Sequence, residues 1–249
     1  MSTSELAPSE QAPSKSFPAR FIGVFLSPGE TFADIARKPD FIAPLIVIII
    51  AAVAFTETML AKIGMERIVR QSMEQSSRTQ NMTPEQMQQA VSQGVKIGGI
   101  ITHVAGLIGP PIYLLVIAGI GLLIVNAILG GQAKFKSVFS AVCYAYSPAL
   151  LGTVMGIALI LFGDPENFNA QNPVPTNVGF FLNWRETSKP LMAIASSFDV
   201  FTIWFVLLAG IGLSATTERK AKASTVSIIY FGLWIVWVLG KAGLSMLTG

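Results

Sequence analysis

Five stretches of this chain are too long and too apolar to be ordinary core helices. They fall at about 41–61, 104–128, 138–162, 191–213 and 224–246. A helix needs roughly 20 apolar residues to cross about 30 Å of hydrocarbon, and each stretch reaches that length. The runs are continuous rather than alternating, so transmembrane strands do not fit them, and open sheet edges cannot face lipid. Composition agrees: 12% of the 249 residues are charged, about half the level of an ordinary soluble domain. The expectation is an all-α protein, a helical transmembrane bundle of five spans with the lipid bilayer as its first partner.

Residues 1–16, MSTSELAPSEQAPSKS, are polar and rich in Pro and Ser, with no apolar stretch, so they read as a disordered tail rather than a signal peptide. Residues 17–246 then form the membrane domain. Its single cysteine, Cys143, excludes an internal disulfide, and one His with one Cys makes a His/Cys metal site a poor reading. The net charge is +3 without a long basic block, which argues against nucleic acid as a partner. The short loops GGQAKFKS and TTERKAKAS are dense in Lys and Arg. Basic residues in short loops stay on the cytoplasmic side, which places the N-terminus inside and the C-terminus outside.

Two amphipathic regions flank the spans. In SPGETFADIARKP, Ser27 is a helix N-cap candidate, Pro28 takes the first helical position, and Glu30 completes an S-x-x-E capping box. Phe32, Ile35 and Ala36 continue as an apolar face, and Phe17, Phe21, Val24 and Phe25 supply another upstream. The segment reads as an interfacial elbow ahead of the first span. A Ser27–Glu30 catalytic pair has no base or oxyanion donor beside it. In the first outer loop, Thr83 precedes Pro84 and Gln86 in the same capping pattern, and Met87, Ala90, Val91, Gly94 and Val95 form a stripe for an interfacial helix.

Polar residues kept at apolar depth carry the site expectations. Asp199 is the ninth residue of the fourth stretch, with Glu57, His103 and Lys241 toward the same outer ends. These four could form a pocket for an ion, a proton or a lipid headgroup. Alternatively, Asp199 bonds a neighbouring side chain while the others reach the interface. Gly109-Pro110-Pro111 should disturb the second span, and Ser147-Pro148 offers the third span the same choice. Gly152 and Gly156 make a small-xxx-small face for close helix approach, within the monomer or between copies. Phe180, Phe181 and Trp184 suit an outer interface. No nucleotide loop, zinc-protease motif or nucleophile elbow occurs, so neither an enzyme nor a cofactor is expected.

SPGETF ahead of the first span, GGQAKFKSVFSAVCYAYSPALL, FDVFTIWFVLLAGIGLSA and the basic RKAKA before the fifth span resemble the Yip-domain (Ypt-interacting protein) family, in order and spacing, over about residues 20–246. The resemblance implies five spans and a cytoplasmic N-terminus. The short loops are those of a bacterial relative, which implies an inner-membrane location. The first functional reading is a non-enzymatic membrane scaffold or organiser of the Yip class that binds lipid or a protein partner. The alternative is a small transporter or channel built around Asp199.

Overall fold

The computed structural model describes residues 14–74, 76, 79, 81–164, 168–183 and 186–247. The expected disordered tail falls mainly on residues 1–13, and Trp184 with them lies outside the described residues. All regular elements among those described are helical, as expected: α1 (Phe17–Leu26), α2 (Pro28–Arg37), α3 (Ile42–Lys62), α4 (Met65–Glu74), α5 (Pro84–Leu123), α6 (Phe135–Ala145), α7 (Ser147–Phe162), α8 (Lys189–Ala195), α9 (Val200–Thr216) and α10 (Ala223–Leu247). Among the described residues, four segments are long and apolar enough to cross a membrane: α3, α5 with its π-helical extension to Ile128, α6 continued by α7, and α10.

The fourth expected span takes a different form. It is divided into α8 and the 17-residue α9. Two consecutive serines end α8 by turning back on it: Ser196 Oγ donates to the Met192 carbonyl at 2.7 Å, and Ser197 Oγ to that of Ala193 at 2.7 Å. Such back-bonding competes with helix continuation. Asp199 then begins α9, so it stands at a helix start and not in mid-span.

Helix α6 occupies the centre, with every residue from Val138 to Ala145 buried. It packs against α5 and α9, and α10 closes over α9. Tyr146 and Pro148 divide the third span into α6 and α7, and Ser147 Oγ donates to the buried Tyr144 carbonyl at 2.7 Å. Pro110 and Pro111, by contrast, lie within an unbroken α5. The second span departs from α-geometry only at Ile124–Ile128, a π-helical turn after which Asn126 brackets Ala133, accepting from its amide at 2.8 Å and donating to its carbonyl at 3.0 Å.

Both amphipathic regions form helices, and both lay their apolar faces on protein. Ahead of α5 the capping box at Thr83 closes: Gln86 N–H donates to Thr83 Oγ1 (3.3 Å) and Thr83 N–H to Gln86 Oε1 (2.9 Å). The stripe beyond it packs against α4, where Val91 is buried and Gly94 admits Val69. The α1–α2 hairpin stands beside α9 and α6. Phe32 lies against Gly212 and Ala141, and Phe25 sits edge-on to Trp204 with 5.5 Å between ring centroids. The expected Ser27–Glu30 capping box does not form. Ser27 N–H already closes α1 on the Gly23 carbonyl (2.8 Å), its side chain makes no cap hydrogen bond, and Glu30 lies 4.0 Å from Lys15 Nζ. Pro28 does take the first helical position.

Candidate functional site

The start of α9 organises a polar site. Asp199 Oδ1 accepts from the amides of Phe201 (2.9 Å) and Thr202 (3.1 Å), the usual satisfaction of orphan donors at a helix start. Its Oδ2 accepts from the Thr176 hydroxyl. Val200 N–H donates to the Thr176 carbonyl at 3.0 Å, and an isolated antiparallel bridge pairs Asn177 with Asp199. One carboxylate therefore caps a helix and fastens the 172–177 loop over it. That loop is stiffened by buried amides, with Asn172 and Asn177 exchanging hydrogen bonds of 3.0 and 2.7 Å.

Beneath the loop lies a cavity of about 340 Å³. Its walls carry the rings of Phe55, Tyr113, Tyr146, Phe201 and Phe205, and its polar edge includes Thr153, Thr176 and Asp199. The rings are placed by small residues and by one another. Phe201 fits over Gly152 and Phe55 over Gly156, so a methyl group at either glycine would collide with a ring. Tyr146 lies 6.0 Å from Tyr113 and 5.9 Å from Phe205 between centroids. The expected small-residue face is thus buried and filled by rings of the same chain.

Of the four residues expected to share a pocket, the structure brings Glu57 and His103 together, and neither they nor Lys241 line the cavity beside Asp199. His103 Nε2 and Glu57 Oε1 pair at 3.2 Å with both side chains about half exposed, and His103 Nδ1 meets the Gly99 carbonyl at 2.6 Å. Neither residue is among the described lining of the Asp199 cavity. Lys241 is exposed on α10, and none of the described ion pairs includes it. Asp199 is the one ionisable carboxylate among the described lining residues. No group of three or more His, Cys, Asp or Glu converges among the described residues. Phe180 and Phe181 are both exposed.

A second polar centre, absent from the sequence expectations, holds the opposite end. Asp34 accepts from Arg20 Nε (2.9 Å), Arg37 Nη2 (2.8 Å) and the Lys15 amide (3.1 Å), while Arg20 Nη2 donates to the Asp34 carbonyl (3.3 Å). The Arg20 and Asp34 side chains are 4% and 8% exposed, which makes this a buried pair. Burial pushes the Asp34 carboxyl up, but the hydrogen bonds from Arg37 and Arg20 outweigh it and hold the group below its ordinary value. The signal was legible: Arg20 shares the helical face of Phe17, Phe21 and Val24, where a lone charge requires a buried partner.

The Yip1 domain family matches residues 22–240. The chain is also similar to membrane protein YknW of Bacillus subtilis, with 26% identity over 233 residues that cover 91% of each chain. No solved structure matches it.

Proposed function

Because the chain belongs to the Yip1 domain family, we propose that this membrane protein is a non-enzymatic scaffold of a bacterial inner membrane, binding a protein partner at its cytoplasmic end. It crosses the bilayer five times, with α8 and α9 together as the fourth crossing, the N-terminus inside and the C-terminus outside. Support for the orientation comes from Arg37, Lys38, Lys134, Lys136, Arg219, Lys220 and Lys222, which lie in or beside the connections of a single end. Those connections touch: Gly131 lies against Thr217, and Phe41 packs on Phe139.

The observation that carries the reading is the welded α1–α2 hairpin. Its inner face is fixed by Arg20, Asp34 and Phe32. Its outer face leaves Ile22, Leu26 and Glu30 exposed on a rigid support. Preorganised surfaces of this kind lose little entropy on binding. The test is crosslinking in native membranes, with a photoreactive residue at Glu30 and mass spectrometry of the products. A reproducible partner that disappears in Arg20→Ala, at unchanged protein level, supports the scaffold. Crosslinks to other copies of the chain alone would contradict it.

The outer cavity favours a second reading, a small transporter. In that case Asp199→Asn should abolish a solute or ion flux in proteoliposomes, whereas a pure scaffold supports no flux to lose.

A further inference from the structure

The outer cavity combines features that a purely structural void does not need. Three neutral donors, the two α9 amides and the Thr176 hydroxyl, satisfy Asp199 without supplying a positive charge. A carboxylate accepts about four hydrogen bonds, so about one position remains toward the cavity. No Lys or Arg stands among the described lining residues, and none of the described ion pairs reaches Asp199. Aromatic rings line the same cavity, with Tyr146 packed against both Tyr113 and Phe205. Ring faces attract a cation within about 6 Å of the centroid, and cages of such rings suit alkylated ammonium groups.

The same features select among cations. A bare calcium-like ion takes six to eight oxygen ligands, whereas these walls are mainly rings. A volume of about 340 Å³ is within the range of small-molecule sites and far exceeds the space of one ion. An organic cation presents a charge to Asp199 and an apolar body to the rings at once. We propose that this cavity binds an organic ammonium group, with Asp199 as counter-ion and Tyr113, Tyr146 and Phe205 as its cage. The group is either the headgroup of an aminophospholipid or a free amine. This goes beyond the scaffold reading, and because it concerns the end opposite the hairpin, either can fail without the other.

The experiment uses the full chain. In detergent, binding of choline is compared with binding of 3,3-dimethylbutan-1-ol, which has the same shape without the charge. In nanodiscs, native mass spectrometry compares retention of phosphatidylethanolamine with that of phosphatidylglycerol. Asp199→Asn keeps an N-cap oxygen for the two amides and removes the charge. Tyr113→Leu removes one cage wall at a position on α5 that is 45% exposed. Choline is expected to bind at least tenfold tighter than the alcohol. Asp199→Asn should bring that ratio near one, and Tyr113→Leu should lower it threefold or more. Preferential retention of phosphatidylethanolamine, lost in Asp199→Asn, assigns the ammonium to lipid; choline selectivity without it assigns a free amine. Equal binding of choline and the alcohol with no preference between the lipids would overturn the proposal. So would full selectivity in both variants.

Discussion

Asp34 joins three donors from two helices and the segment before them, and its removal tests whether that junction holds the hairpin. Asp34→Ala leaves Arg20 charged and buried without its partner. Breaking a buried pair in this way costs about 3–5 kcal/mol, so a marked fall in thermal stability in detergent is expected. The double variant Arg20→Leu, Asp34→Leu should recover much of it, since neither charge remains to be satisfied. The pair also sets a pH dependence. The unfolded carboxyl takes up a proton near 3.8 and the folded one only at lower pH. Its contribution is therefore complete above about pH 4 and is lost as the pH falls through the folded value. Hydrogen exchange of α1 and α2 between pH 6 and pH 3 should show the loss, and Asp34→Leu should remove that dependence. At this scale the sequence was only partly readable. Asp199 stood out as a lone carboxylate in an apolar run, yet its partners Thr176 and Asn177 lie in a loop whose course no local pattern fixes.

Among the elements, the turn from α9 to α10 carries the clearest strain. Glu218 and Arg219 both adopt left-handed φ, 55° and 64°, at a cost of roughly 1–2 kcal/mol per residue for side chains bearing a Cβ. Glu218→Gly should raise stability by about 0.5–1 kcal/mol, read as a higher midpoint in thermal unfolding. The hairpin seat makes the opposite prediction. Gly212→Val drives a side chain into Phe32 and Ala141, and such overpacking costs typically 1–3 kcal/mol. It should loosen α2 ahead of the bundle, visible as selective proteolysis before Ile42. The spans were legible because each needs only length and apolarity. The gap between α8 and α9 was legible in principle: Ser-Ser ends one helix and Asp begins the next, but the flanking apolar residues hid that punctuation inside one hydrophobic run. The amphipathic stripes were visible as well. Their partners were not, because a stripe fits α4, α6 or α9 as readily as a membrane surface.

Across the whole molecule, the two ends of the bundle differ in chemistry. One end carries the hairpin and the basic connections, and the other carries the looped cavity with its aromatic walls. The family and the membrane setting follow from the matched length of the chain, whereas the sidedness is the account's own claim. Cysteine accessibility tests it directly, with little background, because Cys143, the one native cysteine, is buried. Single cysteines at Lys136, Arg219, Gln89 and Glu186, all exposed in the fold, would be treated in intact cells with a membrane-impermeant maleimide. Rapid labelling is expected at positions 89 and 186, and labelling at positions 136 and 219 only after the membrane is opened. Labelling of Arg219 from outside, or of positions 89 and 186 on opposite sides, would contradict this sidedness.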